Sequence, residues 1–409
     1  MAHTRRTPVR HLRPSDLRAA AQLVTQATLG VVGVTEDVHQ AVRQRIGLPG
    51  GDAPDRAGGL TGRIYAAIRG AAHGIGAGID GVLHSLAPLL ERPGADHADS
   101  AERAAVVAAL NGVFGDRLAA MGNALAQPME LRHGGQALPL HAPERLAQRL
   151  GGASPHLLLM IHGLCMNDSQ WLRSGHDHTP LLAETLQATP LHLRYNSGLH
   201  IAANGRELAR ALERLTQHWP VDLRGITLVG HSMGGLVARS AVHEGRLAGH
   251  RWPALVKHLL FLGTPHHGAP LERAGHGADL LLASSPFTAP LARLGRLRSA
   301  GITDLRHGHL RHPDDARHDE PLALPDGVAC LGVAACLAPR RGLLAERLVG
   351  DGLVPLHSAL GEHDDSARRL VFARDSLHVV YRTGHLDLLS SPAVAQRLQQ
   401  WLQPASAGS

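Results

Sequence analysis

A serine hydroxyl is a poor nucleophile at its free pKa. To attack a carbonyl it must be lifted out on a sharp turn and set beside a base. Gly230-His231-Ser232-Met233-Gly234-Gly235 offers such a turn, following the apolar run Ile226–Val229 and preceding a helical stretch from Leu236. Small residues at 230 and 234 leave room where side chains would collide with the neighbouring strand and helix. A helix beginning directly after Ser232 would offer N–H groups and its positive dipole end to a developing oxyanion. A G-x-S-x-G string alone is common; its strand–turn–helix setting makes it informative.

Three further segments complete a chemistry. His162-Gly163-Leu164 follows the apolar stretch Leu157–Ile161. A loop there, upstream of the nucleophile strand, can supply one oxyanion donor from the N–H of Leu164, with the N–H of Met233 as the other. His162 itself is expected to hold the loop rather than to act as base. Gly350-Asp351-Gly352 sits past the strand-like run Val328–Ala335, and its glycines suit a tight turn presenting a carboxylate. His385, in Thr383-Gly384-His385-Leu386-Asp387, precedes the last helical pattern. The order Ser232, Asp351, His385 is the one expected when an acid holds an imidazole that deprotonates a serine on an open α/β sheet. Asp326 and Asp387 are rival acids without the glycine-flanked setting, and His363 and His378 are rival bases that interrupt or precede a strand-like stretch. Thr264-Pro265-His266-His267-Gly268 follows another strand end. It is either a plain turn or, with His162, part of the substrate lining, since ligands bind beyond the carboxyl ends of such strands.

The elements that must position these residues alternate. A hairpin is predicted from Met129–Arg132 and Gln136–Leu140 around His133-Gly134-Gly135. Strands are then predicted at His156–Leu164, Leu191–Tyr195, Ile226–Val229, Val256–Gly263, Val328–Ala335 and Leu370–Ala373. Helices are predicted at Leu181–Gln187, Ile201–His218, Met233–Arg246 and Val394–Trp401. Strand and helix in alternation argue an α/β fold, a mostly parallel sheet with helices on both faces. Residues 266–326 break the rhythm and are read as a cap or lid within a domain spanning 127–409. Residues 1–126 read instead as an α-helical N-terminal region. Its apolar stripes run from Leu17 to Val31, from Ile64 to Leu86 and from Val106 to Leu125. Gly62, Ala66, Gly70, Gly74 and Gly78 form a small-residue ladder suited to close helix packing. Asp80, His73, His84 and the glycines argue against a membrane-spanning segment there, and peripheral membrane contact is kept as the alternative.

Composition excludes other classes. The 409 residues, 44% hydrophobic, can bury a sizeable core. The net charge of +6 is carried almost wholly by scattered arginine and accompanies no nucleic-acid motif, so no nucleic-acid partner is expected. Three cysteines make no disulfide framework, no signal peptide is evident, and a cytoplasmic location fits. Cys165 is expected to be a buried apolar thiol. The pairs His176/His178 and His266/His267 lack a Cys or carboxylate partner at metal spacing. With 30 histidines in the chain they are expected to be surface residues, and no metal site is predicted.

As a set, HGLCMNDSQW (162–171), GHSMGG (230–235), FLGTPHHGAPLER (261–273), GDGLVP (350–355) and GHLDLLSSP (384–392) resemble the α/β-hydrolase superfamily. Within it the chain is similar to the lipase/esterase branch that includes inositol-deacylase-like serine hydrolases. The resemblance spreads over residues 155–402, and residues 1–126 lie outside it. It implies carboxylic-ester hydrolysis, often of lipid esters, by the triad Ser232, Asp351 and His385 with the oxyanion hole of Leu164 and Met233, and no cofactor. Two alternatives stay open. One is an acyltransferase using the same triad. The other is a non-catalytic, membrane-associated binding protein on a hydrolase fold.

Overall fold

A computed structural model describes residues 101–269, 299–339 and 350–403. The stripes predicted between Leu17 and Leu86, the small-residue ladder and residues 270–298 of the expected cap lie outside the described residues. The elements in chain order are α1 (Ala101–Ala120), β1 (Glu130–His133), β2 (Gln136–Ala137), α2 (Pro143–Arg149), β3 (His156–Ile161), α3 (His178–Leu186), β4 (Thr189–Arg194), α4 (Ile201–Gln217), β5 (Gly225–His231) and α5 (Met233–Leu247). They continue as β6 (Val256–Leu262), α6 (Ala300–His307), β7 (Ala329–Cys336), α7 (Leu356–Ala359), β8 (Leu377–Tyr381) and α8 (Pro392–Leu402).

The strands form one 8-stranded sheet in the order β2-β1-β4-β3-β5-β6-β7-β8. The hairpin is antiparallel, β1 pairs antiparallel with β4, and every pair from β4 to β8 is parallel. This is the sheet of an α/β-hydrolase, mostly parallel and wound with helices. β3 and β5 sit at its centre and read as near-continuous apolar runs because both faces are covered. Leu158, Met160, Val229, Leu260 and Val333 face one layer with Leu182 of α3 and Val394 and Leu398 of α8. Helix α5 packs on β3, β5 and β6, with α4 against it. The stripe Ile201, Gly205, Leu208, Leu212 and Leu215 explains α4, since all five are buried on one face.

Two sequence expectations are corrected. Leu370–Ala373 is irregular, and the strand beside β7 is Leu377–Tyr381. Both segments are apolar, but only the second lies in register beside β7, with Gly332 opposite Leu377 and Cys336 opposite Tyr381. The stripe read through Leu125 stops at Ala120, where Gly122 takes a positive φ of 59° and ends the helix.

By chain contacts, Ala104–Ala119 of α1 belongs to the same compact unit as the sheet. Within that unit, Ala109, Val113, Phe114 and Leu118 of α1 are buried. The helix is tied by Asn196 Nδ2 donating to Gly115 O and by Ser299 Oγ donating to Gly112 O.

At one side of the sheet the Asp168 carboxylate lies between two guanidiniums. It pairs with Arg194 Nε of β4 and, at 3.1 Å, with Arg132 Nε of β1. Only 6% of the Asp168 side chain is exposed. Breaking a buried pair leaves uncompensated charge and costs about 3–5 kcal/mol. Asp168→Ala is therefore expected to lower the unfolding free energy by about 3 kcal/mol in urea titration. A loss under about 1 kcal/mol would show that solvent already screens these charges.

Candidate active site

Ser232 stands between β5 and α5 with φ 54° and ψ −126°. Such a conformation costs a non-glycine residue about 1–3 kcal/mol and persists only where the surroundings impose it. Ser232 N donates to Leu262 O at 2.8 Å, and Gly235 N donates to Ser232 O at 3.1 Å. The flanking glycines are needed for space. A Cβ on Gly230 would lie 2.4 Å from the backbone of Gly235, and one on Gly234 would lie 2.2 Å from Ile161 O. The turn is thus wedged against β3 as well as its own helix.

The loop after β3 lies against the serine. A Cβ on Gly163 would be 3.0 Å from Ser232 Cβ. The loop is held from three sides. Tyr195 Oη donates to His162 O at 2.9 Å, the rings of His162 and Tyr195 stack at 4.4 Å, and Cys165 N donates to Ser197 Oγ at 3.1 Å. Helix α1 closes the back, where a side chain at Gly112 would meet Cys165 Sγ. Leu164 and Met233 are buried, and among the described residues neither of their N–H groups donates to a backbone carbonyl. His162 therefore positions this loop, its Nδ1 bonded to Gly163 O at 2.9 Å. Burial pushes its pKa down to about 4, so the ring is neutral near pH 7. Cys165 is buried as expected, and burial pushes its thiol up to about 12.

Asp351 and His385 meet as a buried pair, each about 1% exposed, with His385 Nδ1 donating to Asp351 Oδ2 at 2.7 Å. The other carboxylate oxygen accepts from Leu353 N at 2.9 Å and Val354 N at 2.7 Å. Gly350 and Gly352 have φ of 50° and 93°, the left-handed values this turn requires. His385 N donates to Asp351 O at 3.1 Å, so the two loops are joined through backbone as well. With Nδ1–H directed at the carboxylate, Nε2 of His385 carries the lone pair, and it is buried with no hydrogen-bond partner among the described residues.

Two contacts bring this pair to the serine's end of the sheet. A Cβ on Gly263, directly after β6, would be 3.2 Å from the His385 ring. His231 Nε2 bonds His385 O at 3.2 Å. Sequence reasoning passed over His231, whose only signal was its place beside Ser232. Burial, and then the adjacent His385, hold its pKa well below the usual value.

The rivals fall elsewhere. Asp326 is exposed, Asp387 Oδ2 accepts from Gly384 N, and His378 lies within β8. His266 and His267 line a cleft with Arg239, His363 and Arg368, and none of Ser232, Asp351 and His385 is in its wall. His266 is buried, its Nδ1 taking a hydrogen bond from Arg239 at 3.1 Å. The expectation of surface histidine pairs is corrected by this and by His178. His178 is buried, bonded to His176 at 2.9 Å and to Leu388 O at 2.9 Å, tying the start of α3 to the turn after His385.

The model of the PGAP1-like alpha/beta domain family matches residues 154–289, about a third of the chain. No curated protein matches. Among solved structures, the mature Bacillus licheniformis lipase BlEst2 is 20% identical, with 60% of this chain and 91% of that chain covered and a TM-score of 0.40. The RedJ thioesterase of the prodiginine biosynthetic pathway in Streptomyces coelicolor is 18% identical, covering 61% of this chain and 90% of its own at a TM-score of 0.36. A Pyrobaculum calidifontis esterase is 18% identical over 62% of this chain and 77% of its own, at 0.35. Among the described residues, no helix is long and apolar enough to cross a membrane.

The buried histidines set a pH dependence. His162 has a folded pKa of about 4 against an ordinary value of 6.5, and those of His231 and His266 lie well below it. Below pH 6.5 the unfolded chain therefore binds protons that the folded chain refuses. Stability is expected to be full above pH 6.5 and to fall as pH drops toward about 4, read by urea unfolding at stepped pH. A flat profile across that window would contradict burial of these rings in the neutral form. The elbow, the sheet order and the match over residues 154–289 together show an α/β-hydrolase fold whose central part is similar to PGAP1-like alpha/beta domains.

Proposed function

We propose that the chain is a serine hydrolase cleaving carboxylic esters through an acyl-enzyme, with Ser232, His385 and Asp351 as the triad. What supports this is the strained Ser232 directly after β5 together with the buried Asp351–His385 pair, whose imidazole lies against Gly263 directly after the neighbouring β6. Nε2 of His385 takes the proton of Ser232 as Oγ attacks the ester carbonyl. The oxyanion accepts hydrogen bonds from the N–H groups of Leu164 and Met233. One such donor is worth about 3–4 kcal/mol in the transition state. The proton on Nε2 passes to the departing alkoxide, and the alcohol leaves. Water then gives a proton to Nε2, attacks the acyl carbonyl, and the proton returns to Ser232 as the acid departs. Asp351 keeps Nδ1 protonated and stabilises the imidazolium that forms in each half-reaction.

The substrate class we assign is an ester of a lipid or similar small molecule. The resemblance to lipases and inositol-deacylase-like proteins favours it, and it needs no cofactor. Peripheral contact with a membrane surface is part of this reading. Cys165, Cys330 and Cys336 are buried thiols, and we read the location as a reducing compartment such as the cytoplasm.

A fluorophosphonate probe is expected to label the wild type and not Ser232→Ala, with circular dichroism unchanged. On nitrophenyl esters of increasing chain length, Asp351→Asn is expected to lower kcat by about 10⁴ with little change in fold. No labelling of a folded wild type would favour the non-catalytic binding protein. Equal labelling of Ser232→Ala would remove Ser232 from the reaction.

A further inference from the structure

The loop after α6 brings together side chains in a cleft whose wall holds none of Ser232, Asp351 and His385. His309 Nε2 lies 3.4 Å from Asp319 Oδ1. The rings of His309 and His318 meet edge to face at 4.1 Å. One ligand-capable atom from each of His309, His318 and Asp319 lies within 4.8 Å of the others. His307 stacks on His309 at 5.2 Å and lines the same cleft. We propose that His309, His318 and Asp319 form a binding site for a divalent transition-metal ion of the zinc type.

Three physical points support the site. Two donors bound to one tetrahedral zinc at 2.0–2.1 Å are about 3.3 Å apart, so His309 and Asp319 already stand at ligand spacing. Nδ1 of His318 bonds the carbonyl of Arg311 at 2.9 Å. A carbonyl only accepts, so Nδ1 carries the hydrogen and Nε2 is left with its lone pair. Metal-bound imidazoles are held this way, by a backbone carbonyl on the second nitrogen. The Asp319 side chain is 85% exposed, so its carboxylate can adjust toward the two imidazoles without moving packed atoms. Arg368 donates to Asp319 O at 3.2 Å and anchors the main chain meanwhile.

The donor set of two imidazoles and one carboxylate matches zinc better than magnesium or calcium, which prefer oxygen. The fourth position is open to water or to His307. The ion would join the two ends of the loop 309–319 and stabilise that loop. None of Ser232, Asp351 and His385 is in the wall of this cleft, and the proposal gives the ion no step in ester cleavage. Linear spacing hides the site, because His309 and His318 are neither adjacent nor one helical turn apart.

The test uses the full-length chain without an affinity tag, stripped with chelator and dialysed against zinc at pH 7.5. One equivalent of zinc is expected to bind with a Kd of about 10 µM or tighter. It should persist in millimolar magnesium and raise Tm. His309→Ala/His318→Ala is expected to weaken binding at least tenfold and abolish the Tm rise, with fluorophosphonate labelling unchanged. Asp319→Ala, at an exposed position that does not threaten folding, is expected to weaken zinc by about tenfold. Absence of bound zinc in the wild type, or less than threefold weakening in Asp319→Ala and in the double variant, would overturn the site.

Discussion

A carboxylate taken out of water must recover its lost hydration from protein donors, and Asp351 recovers it within one turn. Leu353 N, Val354 N and His385 Nδ1 all donate to it. Removing any one would leave an ion in a low-dielectric interior, where an unmatched charge costs several kcal/mol. The chain around Asp351 therefore has little freedom. Glycines with positive φ stand on both sides of it, and His385 is bonded back to it through main chain and side chain. The orientation of the imidazole follows from how the carboxylate is satisfied.

The serine side is held by sterics rather than charge. The positive φ of Ser232 is maintained because β3, β5, β6 and α5 converge within contact distance of the elbow. The loop carrying Leu164 is shaped in turn by Tyr195, Ser197 and the residues of α1 around Gly112. Helix α1, outside the residues that the PGAP1-like model matches, thus packs behind the proposed oxyanion loop. The described part of α1 belongs to the same compact unit as the sheet.

The central strands and the helices α3, α4, α5 and α8 were legible because burial on one or both faces writes a period into the residues. The turns carrying Ser232, Asp351 and His385 were legible because glycine and chain order mark them. The strand beside β7 was misplaced. Leu370–Ala373 and Leu377–Tyr381 are both apolar, and only pairing with β7 distinguishes them. The histidines were misread more broadly. His178 and His266 are buried and bonded to neighbours far along the chain or on another element, and no local pattern records such partners.

The sequence by itself determined the alternation that builds a parallel sheet, and the chain order of the residues proposed as nucleophile, acid and base. These are local properties, set by side-chain type, turn chemistry and hydrophobic period. Tertiary structure alone decided which of the 30 histidines matter and how. It joined His231 to the loop of His385, stacked His162 on Tyr195 in the proposed oxyanion loop, and set His266 and His267 in a cleft whose wall holds none of Ser232, Asp351 and His385. It also gathered His309, His318 and Asp319. Imidazole serves as base, loop pin, buried neutral donor or metal ligand with the same atoms. Only the partner on its second nitrogen tells them apart, and that partner is a matter of distance in space.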